Sequence, residues 1–231
     1  MKAIFESTTQ ALHVSFLIMA VEPRQKNALR QALIRYIEEV RSPSANLLDW
    51  LNQLRGESSG TVDFSGLTMD EIRAQCAMVT QIVRDHLPAP EMHAVRARHV
   101  PCEANEVGKD ENRRPIYDYR FSDERQESFR FVADWLNKAG AYDGIGKDAL
   151  MYLVAKACSE RREVRPSFRD IAKECGANYQ TYYRAYPNVR ESIGSLEGLA
   201  TARLTHHFEK TGLVESGFVD TSREIKVWRF K

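Results

Sequence analysis

A chain of 231 residues, 43% of them hydrophobic, is long enough for two compact units with ordinary cores. Its 33 Lys and Arg against 32 Asp and Glu leave a formal charge of +1, which excludes the global basic excess of a non-specific nucleic-acid binder. No basic region followed by an apolar run opens the chain, no window approaches about 18 apolar residues, and Cys76, Cys102, Cys158 and Cys175 form no CxxC pair, so a cytoplasmic protein with reduced cysteines is expected, with no membrane span and no zinc ribbon.

The first predicted element is a helix capped by Ser7 or Thr8, carrying Leu12, Val14, Phe16, Leu17, Ile18 and Val21 and ending at Pro23. A buried strand over Leu12 to Val21 is the alternative, since short apolar runs fit both periods. A second helix is expected over residues 24–37, with Ala28, Leu29, Ala32, Leu33, Tyr36 and Ile37 at helical spacing, and a short amphipathic one over residues 45–54. Thr68 with Glu71 three residues on has the form of a capping box. It opens a helix whose inward face is Ile72, Cys76, Val79, Ile82 and Val83 and which stops before Pro88. Another helix follows Pro90 with Met92 and Val95 inward. His86, His93 and His99 lie six or seven residues apart without a carboxylate pattern, so no metal site is expected.

Residues 101–123 are polar and rich in turn formers, apart from the aromatic alternation of Ile116, Tyr117, Tyr119 and Phe121, and read as a linker or surface loop. Charge and stacking at Arg113, Arg114, Tyr117, Tyr119 and Arg120 would suit nucleic acid, and one edge strand is the plainer reading of the same cluster. Beyond it come helices over residues 122–139, with Phe129, Val132, Trp135 and Leu136 inward, and 147–159, with Leu150, Leu153, Val154 and Ala157 inward.

The next stretch carries the functional argument. Ser167 can cap a helix that sets Phe168, Ile171, Ala172 and Cys175 on one side and Arg169, Asp170, Lys173 and Glu174 on the other. Gly176 falls where the chain must leave that helix through a left-handed turn, and Ala177, Tyr182 and Ala185 give a second helix its inward face. Asn178, Tyr179, Gln180, Thr181, Tyr183 and Arg184 are then outward: hydrogen-bonding side chains able to reach phosphates or base edges from a helix in the major groove. Residues 150–190 hold eight basic side chains against four acidic ones, a local excess that suits a phosphate-facing surface with Arg169 and Arg190 at its margins. Pro187 is expected to end the second helix. A long helix then runs to Lys210, and Thr211-Gly212 stops it. Apolar and charged residues alternate from Glu224 to Phe230, so a β-hairpin within residues 213–230 would form a wing whose Arg223 and Lys226 add a phosphate contact. The plain alternative is an αα-hairpin that merely closes a helical domain.

The segment from Arg169 to Arg184 resembles the helix-turn-helix of TetR-like bacterial repressors, with which it shares the run Arg169-Asp170-Ile171-Ala172-Lys173-Glu174, Gly176, Thr181 and Tyr183-Arg184. A capped helix over residues 66–91 before a basic stretch and a late helix-turn-helix is similar in organisation to the Q-type late-gene antiterminators of lambdoid phages. That likeness implies a protein that engages promoter-proximal DNA and host RNA polymerase, in a bacterial host cytoplasm. The expected architecture is mainly α: a partner-binding or dimerising region over residues 1–100, a linker over 101–123, and a helix-turn-helix domain over 124–231. The chain has no Gly-rich phosphate loop, HExxH or GxSxG, so it is read as a non-enzyme that needs no cofactor. A dimeric repressor or activator, and a protein-interaction module using the helix pair as scaffold, are the other readings.

Overall fold

A computed structural model describes residues 3–20, 67–109, 115–140, 142, 144–159 and 164–214. The chain is mainly helical and divides into two compact units, one built from residues 1–88 and 195–231, the other from residues 89–194. The expected helices over residues 24–37 and 45–54, all of the expected wing beyond residue 214, and Arg113, Arg114, Arg223 and Lys226 lie outside the described residues. Among the described residues no helix is long and apolar enough to cross a membrane.

In the first unit, α1 (Thr8–Ala20) is a helix and not a strand. Ser7 decides its start: its carbonyl accepts from the Ala11 N–H at 2.9 Å and its Oγ from the Gln10 N–H at 3.2 Å. Buried positions surround α1, including Ala11, Leu12, Val14, Phe16, Leu17 and Ile18, so it is a core helix. It packs on α2 (Met69–His86). There the Thr68–Glu71 capping box is complete, and Ile72, Cys76, Val79, Ile82 and Val83 are all buried as the periodicity predicts. Arg73 Nη1 donates to the Ile18 carbonyl at 3.0 Å, supplying a partner at the end of α1. Leu196, Ala200, Leu204 and Phe208, from the far part of the last helix, complete this core. Thr205 Oγ1 lies 2.7 Å from Thr8 Oγ1, and Phe5 forms a parallel bridge with Val214.

In the second unit, α3 (Ala89–His99) leads into an antiparallel hairpin of β1 (Cys102–Lys109) and β2 (Pro115–Phe121). Most of the expected linker is therefore paired strand. The aromatic alternation has the period of a strand, and pairing sets Phe121 opposite Cys102, Tyr119 opposite Ala104 and Tyr117 opposite Glu106. A register shift between Glu106 and Gly108 marks a bulge at Val107. After the hairpin come α4 (Asp123–Lys138), α5 (Lys147–Cys158), α6 (Phe168–Cys175) and α7 (Tyr179–Lys210). The core joins Phe129, Val132 and Leu136 of α4 to Leu150, Leu153 and Val154 of α5, Ile171 of α6, and Tyr182, Val189 and Ile193 of α7.

Arg125 organises this core. It is 6% exposed, and its guanidinium donates to the Ala97 and Cys158 carbonyls, both at 2.9 Å, and to Cys102 Sγ at 3.2 Å. The two carbonyls sit at the C-terminal ends of α3 and α5, where unpaired carbonyls and the helix dipole favour a cation. Phe121 and Phe129 lie 5.4 and 5.6 Å from its Cζ. The two units do not follow chain order: α3 packs on α4 within one, and the end of α7 groups with residues 1–88 in the other.

Candidate nucleic-acid interface

The two helices α6 and α7 are joined by the turn Gly176-Ala177-Asn178, and local chemistry accounts for each step of it. Ser167 caps α6 in a reciprocal box: its Oγ accepts from the Asp170 N–H at 3.1 Å, and Asp170 Oδ2 accepts from the Ser167 N–H at 3.0 Å. Those bonds hold the Asp170 carboxyl below its ordinary range, with smaller contributions from Lys173 and Lys156. An Asp in place of the usual Glu or Gln at the third helical position is why this box is easily passed over in the sequence. Ile171 is buried, while Phe168, Ala172 and Cys175 are half-buried against the same core.

Gly176 leaves α6 at φ 73° and ψ −165°. That is not the left-handed helical region the sequence suggests but the positive-φ extended region, which is essentially closed to residues with a Cβ. Ala177 follows at φ 62°, the one described non-glycine residue with positive φ. Ala177 does not face inward as expected: it is exposed in the turn, where the chain takes a second positive-φ residue before α7 starts. Asn178 caps α7, its Oδ1 accepting from the Gln180 N–H at 3.0 Å and its carbonyl from the Thr181 N–H at 2.9 Å. Tyr182, 3% exposed, reaches back from α7 to donate a 2.7 Å hydrogen bond to the Gly176 carbonyl.

Pro187 does not end the helix. It sits inside α7, which runs unbroken from Tyr179 to Lys210. A proline within a helix removes one backbone bond and costs about 3 kcal/mol, and the burial of Val189 and Ile193 in the core of the second unit offsets it.

With the inward side of α7 taken by Tyr182 and Val189, its first turns present Asn178, Tyr179, Gln180, Thr181, Tyr183 and Arg184 as exposed residues. Tyr179 and Tyr183 are 47% and 63% exposed, unusual values for side chains of this size. Arg169 on α6 and Arg190 on α7 are exposed as well. The structure thus brings together on one helix start six of the residues the sequence singles out, with two arginines on the same two helices.

A brace absent from that reading lies behind them. Lys156 Nζ donates to the Pro166 carbonyl at 2.7 Å and lies 4.4 Å from the centre of the Phe168 ring, and burial followed by the nearby Arg165 charge pulls its pKa down. Arg165 Nη2 donates to Tyr186 Oη at 2.9 Å. Phe168 meets Tyr183 and Tyr186 edge to face at 5.6 and 5.4 Å between ring centres. These two cations, part of the local basic excess, thus also brace the approach of α6 to α7. Among the described residues no cluster of His, Cys, Asp and Glu could hold a metal ion. No protein-family model matches this chain, and no curated protein is significantly similar to it.

Proposed function

We propose that the chain is a DNA-binding transcription regulator in which α6, the turn and α7 act as a helix-turn-helix and the start of α7 enters the major groove. One observation carries the reading: every side chain from Asn178 to Arg184 except the buried Tyr182 is hydrogen-bonding or aromatic and exposed, at the start of a helix whose entry is held by the Gly176 turn and the Tyr182 hydrogen bond. Side chains so presented suit base edges and phosphates, and Arg169 and Arg190 would neutralise the DNA backbone on either side. Within this reading an antitermination factor that engages promoter DNA and host RNA polymerase is the role we favour, on its resemblance to the Q-type phage regulators.

Two measurements test the proposal. Duplex DNA titrated with the full chain should bind with an affinity that falls steeply between about 50 and 200 mM salt, because phosphate contacts release counterions. A pull-down from bacterial lysate treated with nuclease should retain RNA polymerase. Absence of duplex binding at low salt would remove the DNA reading. A two-fold symmetric dimer on a palindromic site with no polymerase bound would make the chain an ordinary repressor.

A further inference from the structure

If α7 lies in the major groove as proposed above, its base preference follows from which exposed side chains are not already engaged. The Asn178 side-chain oxygen caps the helix, Tyr182 is buried against the turn, and the Tyr183 ring is set by its edge-to-face contact with Phe168. Gln180, Arg184 and Asn188 are exposed and recur every four residues. At about 3.6 residues per turn this row drifts by roughly 40° at each step, so all three fall within the 100°-wide stripe a helix turns to one side. Glu191, exposed on the same side, makes the face acidic at its far end and so limits its length. A rise of about 1.5 Å per residue separates neighbours in the row by about 6 Å, close to two base steps of about 3.4 Å each.

The chemistry of the three differs in a way the groove distinguishes. A planar amide pairs bidentately with adenine N6 and N7, and a guanidinium with guanine O6 and N7. We infer that the row Gln180, Arg184, Asn188 reads a guanine flanked at about two steps on each side by adenine, with Asn188 as a specificity-determining residue. Pro187 is what makes Asn188 available in this role: because α7 passes through the proline without breaking, Asn188 stays in line with Gln180 and Arg184 and does not turn away in a loop.

The test uses the full chain. Selection from a pool of randomised duplexes yields the preferred site, and wild type, Gln180→Ala, Arg184→Ala and Asn188→Ala are then titrated against that site and its single-base variants, with circular dichroism to check folding. The expected result is an adenine, guanine, adenine order at this spacing. Each variant should lose roughly 5- to 150-fold in affinity for the selected site and become indifferent to one base only: Arg184→Ala to the guanine, Gln180→Ala and Asn188→Ala each to one adenine. A selected site without this order, or variants that weaken every duplex alike while wild type still binds in a salt-dependent way, overturns the base assignment and leaves the DNA reading standing. No duplex binding by wild type at low salt overturns both.

Discussion

Tyr182 and Gly176 are joined across the turn by a 2.7 Å hydrogen bond from the phenol to the carbonyl, so the residue that anchors α7 in the core also holds the end of α6. The tyrosine needs its ring for burial and its hydroxyl for the turn, a pairing of apolar body and polar tip that phenylalanine does not supply. Tyr182→Phe should lower stability by about 1 kcal/mol, read as a shift in the urea midpoint with unchanged slope. A midpoint equal to wild type would mean that the hydroxyl does not hold the turn.

Gly176 offers a sharper test of the same turn. A Cβ built on it meets nothing within 4 Å, so substitution is opposed by the backbone and not by a clash. At φ 73° and ψ −165° the strain for Gly176→Val is about 1 to 3 kcal/mol. Gly108→Ala is the control: its Cβ would also meet open space, and its φ lies outside the positive range, so it should be close to neutral. Thermal unfolding of the two variants side by side separates conformational strain from loss of a generic glycine.

The Arg125 guanidinium serves two helix ends and the base of the hairpin at once. Arg125→Met should destabilise the second unit by about 3 kcal/mol, since it strands carbonyls that a charged donor now satisfies. Arg125→Lys should restore little, because one ammonium cannot reproduce the fork that reaches both carbonyls and Cys102 Sγ. Hydrogen exchange of amides in α3 to α5 would report the effect, and full recovery with lysine would show that charge alone suffices.

Acid should weaken both units through histidine. Burial lowers the pKa of His93, helped by Arg96 and opposed by Glu127, and burial followed by His86, Lys210 and His206 lowers that of His207. A histidine depressed in the folded state binds its proton more readily when unfolded. Its contribution is therefore complete above about 6.5, the unfolded value, and is lost as pH falls through that value towards the lower folded one. Asp170 and Glu71 are also depressed, and as carboxyls they act only in a separate, more acidic window. Denaturation midpoints should fall as pH drops from about 7 towards 5, and His93→Gln and His207→Gln should each flatten part of that fall.

Much of this arrangement is legible in the chain because caps and periodicity are local. Ser7, Thr68 with Glu71, and Ser167 each mark a helix start by a hydrogen bond to a backbone a few residues away, and the row from Ile72 to Val83 shows its buried side by spacing alone. The exposure of Asn178, Tyr179, Gln180, Thr181, Tyr183 and Arg184 is visible for the same reason, whereas that of Asn188 is not, because it lies beyond the proline. Pro187 misleads because its local effect is to break a helix, whereas burial of Val189 and Ile193 in the tertiary core outweighs that effect. The hairpin is hidden because β1 has seven exposed residues in its eight and so carries no apolar alternation, its order coming from the partner strand. Arg125 reads as one more surface charge until three elements are seen to converge on it.

The discontinuous organisation changes what cleavage should do. Residues 101–123, taken as a linker, would permit two independently soluble fragments. In the structure a cut between β1 and β2 instead divides the second unit, in which α3 packs on α4 and Arg96 Nε lies 3.0 Å from Glu124 Oε1. It also parts residues 1–88 from residues 195–214, which share a core through Leu204, Phe208 and the α1 and α2 residues. A protease site engineered between the strands and cut in the folded protein should therefore leave two fragments that co-elute on gel filtration and separate only in denaturant, since each retains apolar faces that the other covers. Expressed alone, either piece should aggregate or be degraded. If the cut pieces separate in native buffer and both stay soluble, the boundary belongs at residues 101–123 after all, and DNA binding should then be sought in the C-terminal piece by itself.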